Sequence, residues 1–228
     1  MLTVALGSCA VPPTERVDAR DYDAFWLWAG VTPQPVLERA KTVYILAGEV
    51  RARDPSRIAD LRAGVPRVGD AEVWLVYRVE TLDWGSQVLP RIVRDVARWR
   101  AAGNRVTGVQ VDFDAATRGL DDYATFLRAV RRGLPTGARL SVTGLMDWSA
   151  QGDPEALAAL GGAVDEIVLQ TYQGRETVPG YGGYVARLGR MRTPFKLGLV
   201  QDGQWREPEG LRANPMFRGY VVFLVNPR

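Results

Sequence analysis

Eight short apolar runs recur along the chain, most of them separated by stretches of helical periodicity, and this alternation limits the fold more than any other feature. The runs are Ala24–Ala29, Thr42–Ala47, Glu72–Val79, Thr107–Phe113, Arg139–Leu145, Glu166–Thr171, Phe195–Val200 and Tyr220–Val225. Val, Ile, Leu, Trp and Tyr dominate them, and Gly, Pro or Asp bound most of them, which is strand chemistry. Between them, Gln87–Ala101 places Val88, Leu89, Ile92, Val93, Val96 and Trp99 on one stripe. Leu120–Leu134 does the same with Tyr123, Phe126, Leu127 and Val130, opened by Asp121 and Asp122 and ended near Gly133 and Pro135. Weaker helical patterns fit Pro35–Ala40, Pro55–Ala63, Pro154–Leu160 and Gly182–Met191, with one more turn at Pro208–Asn214. Strand–helix repetition of this kind predicts an α/β fold, a small (β/α)8 TIM barrel. Trp99 and Phe126 are expected under its helical ring. A doubly wound open sheet is disfavoured, because Trp28-Ala29-Gly30 runs into Val-Thr-Pro instead of a glycine-rich phosphate turn. Only Asn226-Pro227-Arg228 follows the last run, so the barrel is expected to be lean and to lack its last helix.

Residues 22–228 are read as the single barrel domain and residues 1–21 as a signal remnant or tether, extended and without stable secondary structure up to residue 20. The start, Met1 to Ser8, is apolar and ends in small residues before Cys9. Leu6-Gly7-Ser8-Cys9 resembles the lipobox of a bacterial lipoprotein signal, although only eight residues precede the cysteine and none is basic. That resemblance implies an exported, periplasmic or outer-membrane-anchored protein, touching a membrane only through a lipid on Cys9. No other run is apolar for long enough to span a bilayer.

Composition removes whole classes of chemistry. The 228 residues include no histidine and one cysteine, Cys9. Imidazole bases, Ser-His-Asp triads, thiolate zinc cages and intramolecular disulfides are therefore excluded, and no metal or cofactor is expected. The net charge is only +3, and the arginines are scattered. Arg91, Arg94 and Arg98 sit on the solvated face of one amphipathic helix, so no nucleic-acid partner is expected.

In a barrel of this kind, function gathers at the C-terminal strand ends. Those ends carry Trp28; Glu49; Tyr77, Arg78 and Glu80; Asp112 and Asp114; Asp147 and Trp148; Gln170 and Tyr172; Gln201, Asp202 and Trp205; and Asn226. Carboxylates and tryptophans at one rim suit a carbohydrate, whose rings stack on aromatic faces while acids and amides satisfy its hydroxyls. The fourth run is the sharpest signal. In Gly108-Val-Gln-Val-Asp-Phe-Asp, alternation puts Gln110, Asp112 and Asp114 on one face and Val109, Val111 and Phe113 on the other. Polar groups pointing into a barrel need partners, whether each other or a ligand; a structural network with Asp114 as a loop cap is the plainer alternative. Trp26, Trp74 and Trp99 are read as packing, whereas Trp28, Trp148 and Trp205 are ligand candidates. Arg78 suits either a salt bridge to Glu80 or an acidic sugar.

Val-Asp-Phe-Asp resembles the fourth-strand motif of glycoside hydrolase family 18, Asp-Gly-x-Asp-x-Asp-x-Glu, with the later aspartates on Asp112 and Asp114. Leu169-Gln-Thr-Tyr resembles that family's Met-x-Tyr stretch, which implies that Tyr172 helps hold an acetamido group. The first aspartate position is Val109 and the acid/base glutamate position is Ala116, so the family's proton donor is absent where it belongs. Glu49, Glu80 and Asp147 are the replacement candidates across the cleft. The combination of Val-Gln-Val-Asp-Phe-Asp, Leu120–Tyr123, Leu140–Trp148 and Gln-Thr-Tyr-Gln-Gly more closely resembles a bacterial family, domain of unknown function 3142, whose members are often exported or lipid-anchored.

The expectation is an exported glycosidase-like barrel that binds a saccharide at the strand ends. Catalytic candidates are Asp112, Asp114, Glu49 and Asp147. Substrate-binding candidates are Gln110, Tyr172, Gln170, Trp148, Trp28, Arg78, Glu80 and Trp205. Two alternatives stay open: a non-catalytic glycan-binding or envelope-assembly protein on the same scaffold, and a cytosolic barrel enzyme acting on small metabolites.

Overall fold

A computed structural model describes residues 15–227. Eight strands form one closed parallel ring: β1 (Ala24–Leu27), β2 (Thr42–Arg51), β3 (Glu72–Val79), β4 (Arg105–Asp112), β5 (Arg139–Leu145), β6 (Glu166–Gln170), β7 (Phe195–Val200) and β8 (Phe217–Phe223). Each pairs with its chain neighbours, and β1 closes the ring by pairing with both β8 and β2. The expected barrel is present.

Helices cover only part of it. Among the described residues they are α1 (Val88–Ala101), α2 (Leu120–Gly133), the single turn α3 (Trp148–Gln151), α4 (Pro154–Ala163) and α5 (Tyr181–Val185), which continues as a 3-10 turn over Ala186–Arg190. Only 3-10 turns occupy Pro35–Arg39 and Leu211–Ala213. One expected helix is a strand. Asp54–Asp60 pairs antiparallel with the far end of β2, not as a helix over 55–63. The ten-residue β2 carries an edge that this segment covers, and Ile58 packs beside Gly48. Pro55 is tolerated because it lies near the start of an outer strand. Edge pairing has overridden a helix-like spacing of Ile58 and Leu61.

The lead-in differs from an unstructured tether over its described part. Glu15–Arg16 pairs with Gln204–Trp205, Ala19–Asp21 forms a 3-10 turn, and Val17 and Ala19 are buried. Cys9 and the lipobox lie outside the described residues.

Two cores result from strand alternation. Outward residues pack under the helices, where Trp99 is buried; Phe126 is only half-buried, edge-on to Trp84. Inward residues fill the barrel: Ala24, Trp26, Tyr44, Leu46, Trp74, Val76, Val168 and Val221. Tyr44 stacks on Trp74 with centroids 5.7 Å apart, and the Arg139 guanidinium lies over the same indole. Among these rings runs a continuous polar chain. Trp26 Nε1 donates to Gln110 Oε1 (2.7 Å) and Gln110 Nε2 donates to Ser141 Oγ (2.9 Å). Ser141 Oγ and Tyr44 OH both donate to Glu166 Oε1 (3.2 and 2.6 Å), while Lys196 Nζ pairs with Glu166 Oε2 at 3.0 Å and donates to Tyr44 OH. Burial first, and then the Glu166 carboxylate, hold the Tyr44 phenol well above its ordinary pKa.

Removing one member of a buried pair leaves an uncompensated charge, at about 3–5 kcal/mol. Glu166→Ala strands the Lys196 ammonium and takes the acceptor from Ser141 and Tyr44. Urea unfolding should show a loss of that size, with the midpoint falling and the slope unchanged.

Candidate active site

The filled interior ends one layer below the C-terminal mouth, and the mouth begins at Asp112. It is the last residue of β4 and is buried, with its Oδ1 accepting a 2.7 Å bond from Thr143 Oγ1 on β5. Arg78 on β3 is its register partner, and Glu49 on β2 is the partner of Arg78. Neighbours in a parallel ladder point to the same side, so Glu49, Arg78 and Asp112 form a rank across three strand ends. Burial is the largest influence on Asp112 and pushes its carboxyl up to about 6; the charge of Asp114 adds to that, while the Thr143 bond and Arg78 oppose it. Burial first, and then the charge of Asp112, keep the Tyr172 phenol protonated far above its ordinary range.

Opposite this rank stands an aromatic wall. Tyr172 lies 5.5 Å from Phe223, and Phe223 lies 5.3 Å from Trp28. All three are half-buried. Trp26 forms the floor beneath them, 6.3 Å from Trp28 and 6.5 Å from Tyr172. Polar groups therefore face aromatic surface across the strand ends.

Asp112, Arg78, Tyr172 and Trp28 all lie at the C-terminal strand ends, with Gln170 half-buried at the end of β6. Asp114 lies beyond the end of β4, exposed, with no ion pair or side-chain hydrogen bond among the described residues. Other candidates are accounted for differently. Gln110 is fully buried one layer down, and both ends of its amide are bonded to Trp26 and Ser141. Glu49 is already paired with Arg51 at 2.7 Å. Glu80 accepts from the Ala52 amide, so it clamps the adjoining hairpin and makes no bridge to Arg78 among the described residues. Asp147 is the N-cap residue of α3, with Oδ1 buried and unpartnered among the described residues.

Two tryptophans leave the site altogether. Trp148 is 1% exposed, packs against Tyr123 and donates Nε1 to the Ala115 carbonyl, because the chain turns into α3 directly after β5. Trp205 lies outside the barrel wall, stacked on Tyr181 (4.6 Å) and edge-on to Tyr220. Among the described residues no helix covers β8 there, and this aromatic cluster takes its place.

Two residues were missed from sequence. Thr143 follows Ser141 by two positions, so the alternation that marks Gln110 and Asp112 also marks it as inward-facing. Tyr123 reads as helix core and is fully buried, yet its hydroxyl has no partner among the described residues, and Asp112 and Asp114 add to burial in keeping it protonated.

A family described as a domain of unknown function, DUF3142, matches residues 73–190. The chain belongs to that family. The matched stretch runs from β3 to the turn after α5, so it holds Arg78, Asp112, Thr143 and Tyr172, while Trp28 and Phe223 lie outside it. No curated protein matches the chain. Among solved structures, the Bacillus cereus spore cortex-lytic enzyme SleL is similar with TM-score 0.53 and 18% identity, over 78% of this chain and 49% of that one. The chitinase domain of the spore coat protein CotE from Clostridium difficile gives 0.51 and 13%, over 87% and 68%. The CBM22-1-GH10 modules of Clostridium thermocellum endo-1,4-β-D-xylanase 10B give 0.50 and 10%, over 84% and 55%. At these identities the likeness is one of fold, a barrel of the kind glycoside hydrolases use, and the chain spans about half the length of SleL.

Because the Asp112 carboxyl titrates higher folded than unfolded, the folded state binds the extra proton between about pH 4 and 6. Stability therefore falls as pH rises through that window, by about 3 kcal/mol in all. Asp112→Asn keeps an acceptor for Thr143 and removes the charge. Urea unfolding at about pH 4 and pH 7.5 should show the fall in the native chain and its absence in the variant.

Proposed function

We propose that the barrel mouth binds a saccharide, with a sugar ring against Trp28 and Phe223 and its hydroxyls on Asp112, Asp114, Gln170 and Tyr172. The observation that carries this reading is the pairing of a buried, Thr143-bonded carboxyl with a three-ring aromatic wall across one set of strand ends. Flat apolar faces opposite oriented acceptors match the two surfaces of a pyranose. The kinship in fold with a cortex-lytic enzyme, a chitinase domain and a xylanase supports the same reading.

Hydrolysis is a second reading, and the raised Asp112 carboxyl favours it. Glycoside cleavage needs a proton on the leaving oxygen. The position that resembles the family-18 donor is Ala116, a methyl group in a 3-10 cap. Asp112 holds its proton up to about pH 6 and has the exposed carboxylate Asp114 as neighbour. In this reading Asp112 is the acid and Asp114 the second carboxylate, and activity falls as pH rises through about 6.

Calorimetric titration with chito-, xylo- and muramyl oligosaccharides tests both. Trp28→Ala should weaken the tightest of them about tenfold or more, as expected for losing an aromatic platform of about 1–3 kcal/mol. Asp114→Asn should leave stability within about 0.5 kcal/mol, since the side chain is exposed, while weakening binding. Absence of binding by every oligosaccharide overturns the reading; binding without product release leaves a glycan-binding protein. Export with a lipid on Cys9 belongs to the same proposal. Labelled palmitate should enter the membrane fraction of cells expressing the native chain and be lost in Cys9→Ser.

A further inference from the structure

Beside the segments that follow β6, β7 and β8 lies a separate depression of about 280 Å3 lined by Arg16, Arg175, Gln201, Asp202 and Val225. Four chain segments meet there: the lead-in before β1, the hairpin after β6, the loop after β7 and the end of β8. Backbone and amide bonds fasten them together. Val17 N donates to Gly203 O and Asp202 N donates to Val17 O, so the lead-in is tied to the β7 loop on both sides. Asp202 sits in the left-handed region at φ 64°, which Asp tolerates better than most residues. Gln201 accepts from Val225 N and exchanges two 2.9 Å amide bonds with Gln34, and Asn226 reaches Thr32 N and Gly30 O. The Arg175 guanidinium donates to the Asn226 carbonyl at 2.8 Å.

Two exposed guanidiniums line this framework, Arg175 tied by its one bond to the Asn226 carbonyl and Arg16 with no side-chain bond among the described residues. Neither Arg16 nor Arg175 makes an ion pair among the described residues, and Asp202 lines the same depression without pairing with either. Two cations against one anion leave a net positive charge in this lining, on a backbone frame that the bonds above hold. A guanidinium fork meets a planar carboxylate with two parallel hydrogen bonds, which makes such a frame selective for that shape. Position links it to the mouth. Arg175 follows Tyr172 by three residues and Asn226 follows Phe223 by three, and the Tyr172 and Phe223 rings are 5.5 Å apart.

We infer that this rim pocket is an anion subsite that takes the carboxylate of an acidic sugar, so that the protein selects acidic glycans over neutral ones. The inference rests on the proposal that the mouth binds a saccharide. It also gives the lead-in a role in recognition, through Arg16.

The test compares trigalacturonate with its methyl ester, which has the same sugar chain with each carboxylate capped by a methyl group and its charge removed, by calorimetry at low and high salt. Arginine side-chain NMR with glucuronate reads the subsite alone. The acid should bind about tenfold or more tighter than the ester, and the preference should shrink with added salt. Arg175→Gln and Arg16→Gln should bring the ratio of the two affinities towards one, and Arg175→Lys should restore it only in part. Equal affinities for acid and ester, or a ratio unchanged in both glutamine variants, overturn the inference while leaving saccharide binding standing. If neither trisaccharide binds but glucuronate moves the Arg16 and Arg175 Nε resonances, the pocket takes a carboxylate but the selection of acidic glycans is overturned, and the mouth reading then stands or falls with the chito-, xylo- and muramyl titrations. If glucuronate leaves those resonances unmoved as well, the subsite is overturned.

Discussion

Everything at the mouth depends on how the barrel interior is filled. A ring of eight strands closes only around side chains that occupy its centre, and here the centre contains a lysine–glutamate pair wrapped in tyrosine, serine, glutamine and tryptophan. The pair sits near the N-terminal ends of β6 and β7, with Tyr44 serving both partners. Each group in the chain from Trp26 to Lys196 meets a partner, so the desolvation of the ions is offset by bonds as well as by their mutual attraction. The Tyr44–Trp74 stack, with Arg139 over the indole, closes the lower layer.

Because that filling takes up Gln110 and stops at its level, Asp112 becomes the first inward group without a full set of protein partners. It is buried and has one side-chain bond among the described residues, from Thr143. The same burial that raises its proton affinity also raises that of Tyr172 above it and Tyr123 beside it. The mouth thus collects neutral donors around one carboxyl, while its formal charges, Arg78 and Asp114, stand at the exposed edge. In the proposed function, this neutral centre takes the sugar ring and the charged rim discriminates charge.

The sparse helical covering has a structural consequence. Where a regular barrel would carry helices after β7 and around β1, this chain uses loops, 3-10 turns and the aromatic set Tyr22, Tyr181, Trp205, Phe217 and Tyr220. Trp205 covers the outside of β8 instead of reaching a ligand. The lead-in strand is pinned by the same cluster, and this is how Arg16 arrives beside the loops that follow β7 and β8.

Much of this was legible in the residues. Strand periodicity marks all eight barrel strands, because inward and outward faces are both buried and each run must be apolar and short. The two strong helices were legible for the related reason that one face alone is apolar. Alternation along β4 placed Gln110 and Asp112 inside, and the same rule extends to Thr143. The sequence pointed to a helix at Pro55–Ala63, because Ile58 and Leu61 have helical spacing, and the free edge of β2 decided for a strand over Asp54–Asp60. It could not separate Trp28 from Trp148 and Trp205, since all three follow strands. Only the packed chain shows that one lies in the mouth, one turns under α2 and one covers the outer wall. By itself, then, the sequence determined the barrel and which face of β4 is polar, since those follow from local periodicity. Which polar groups are consumed by the interior and which stay open to a ligand was decided by tertiary structure, because pairings such as Lys196 with Glu166 and Asp112 with Thr143 join strands tens of residues apart.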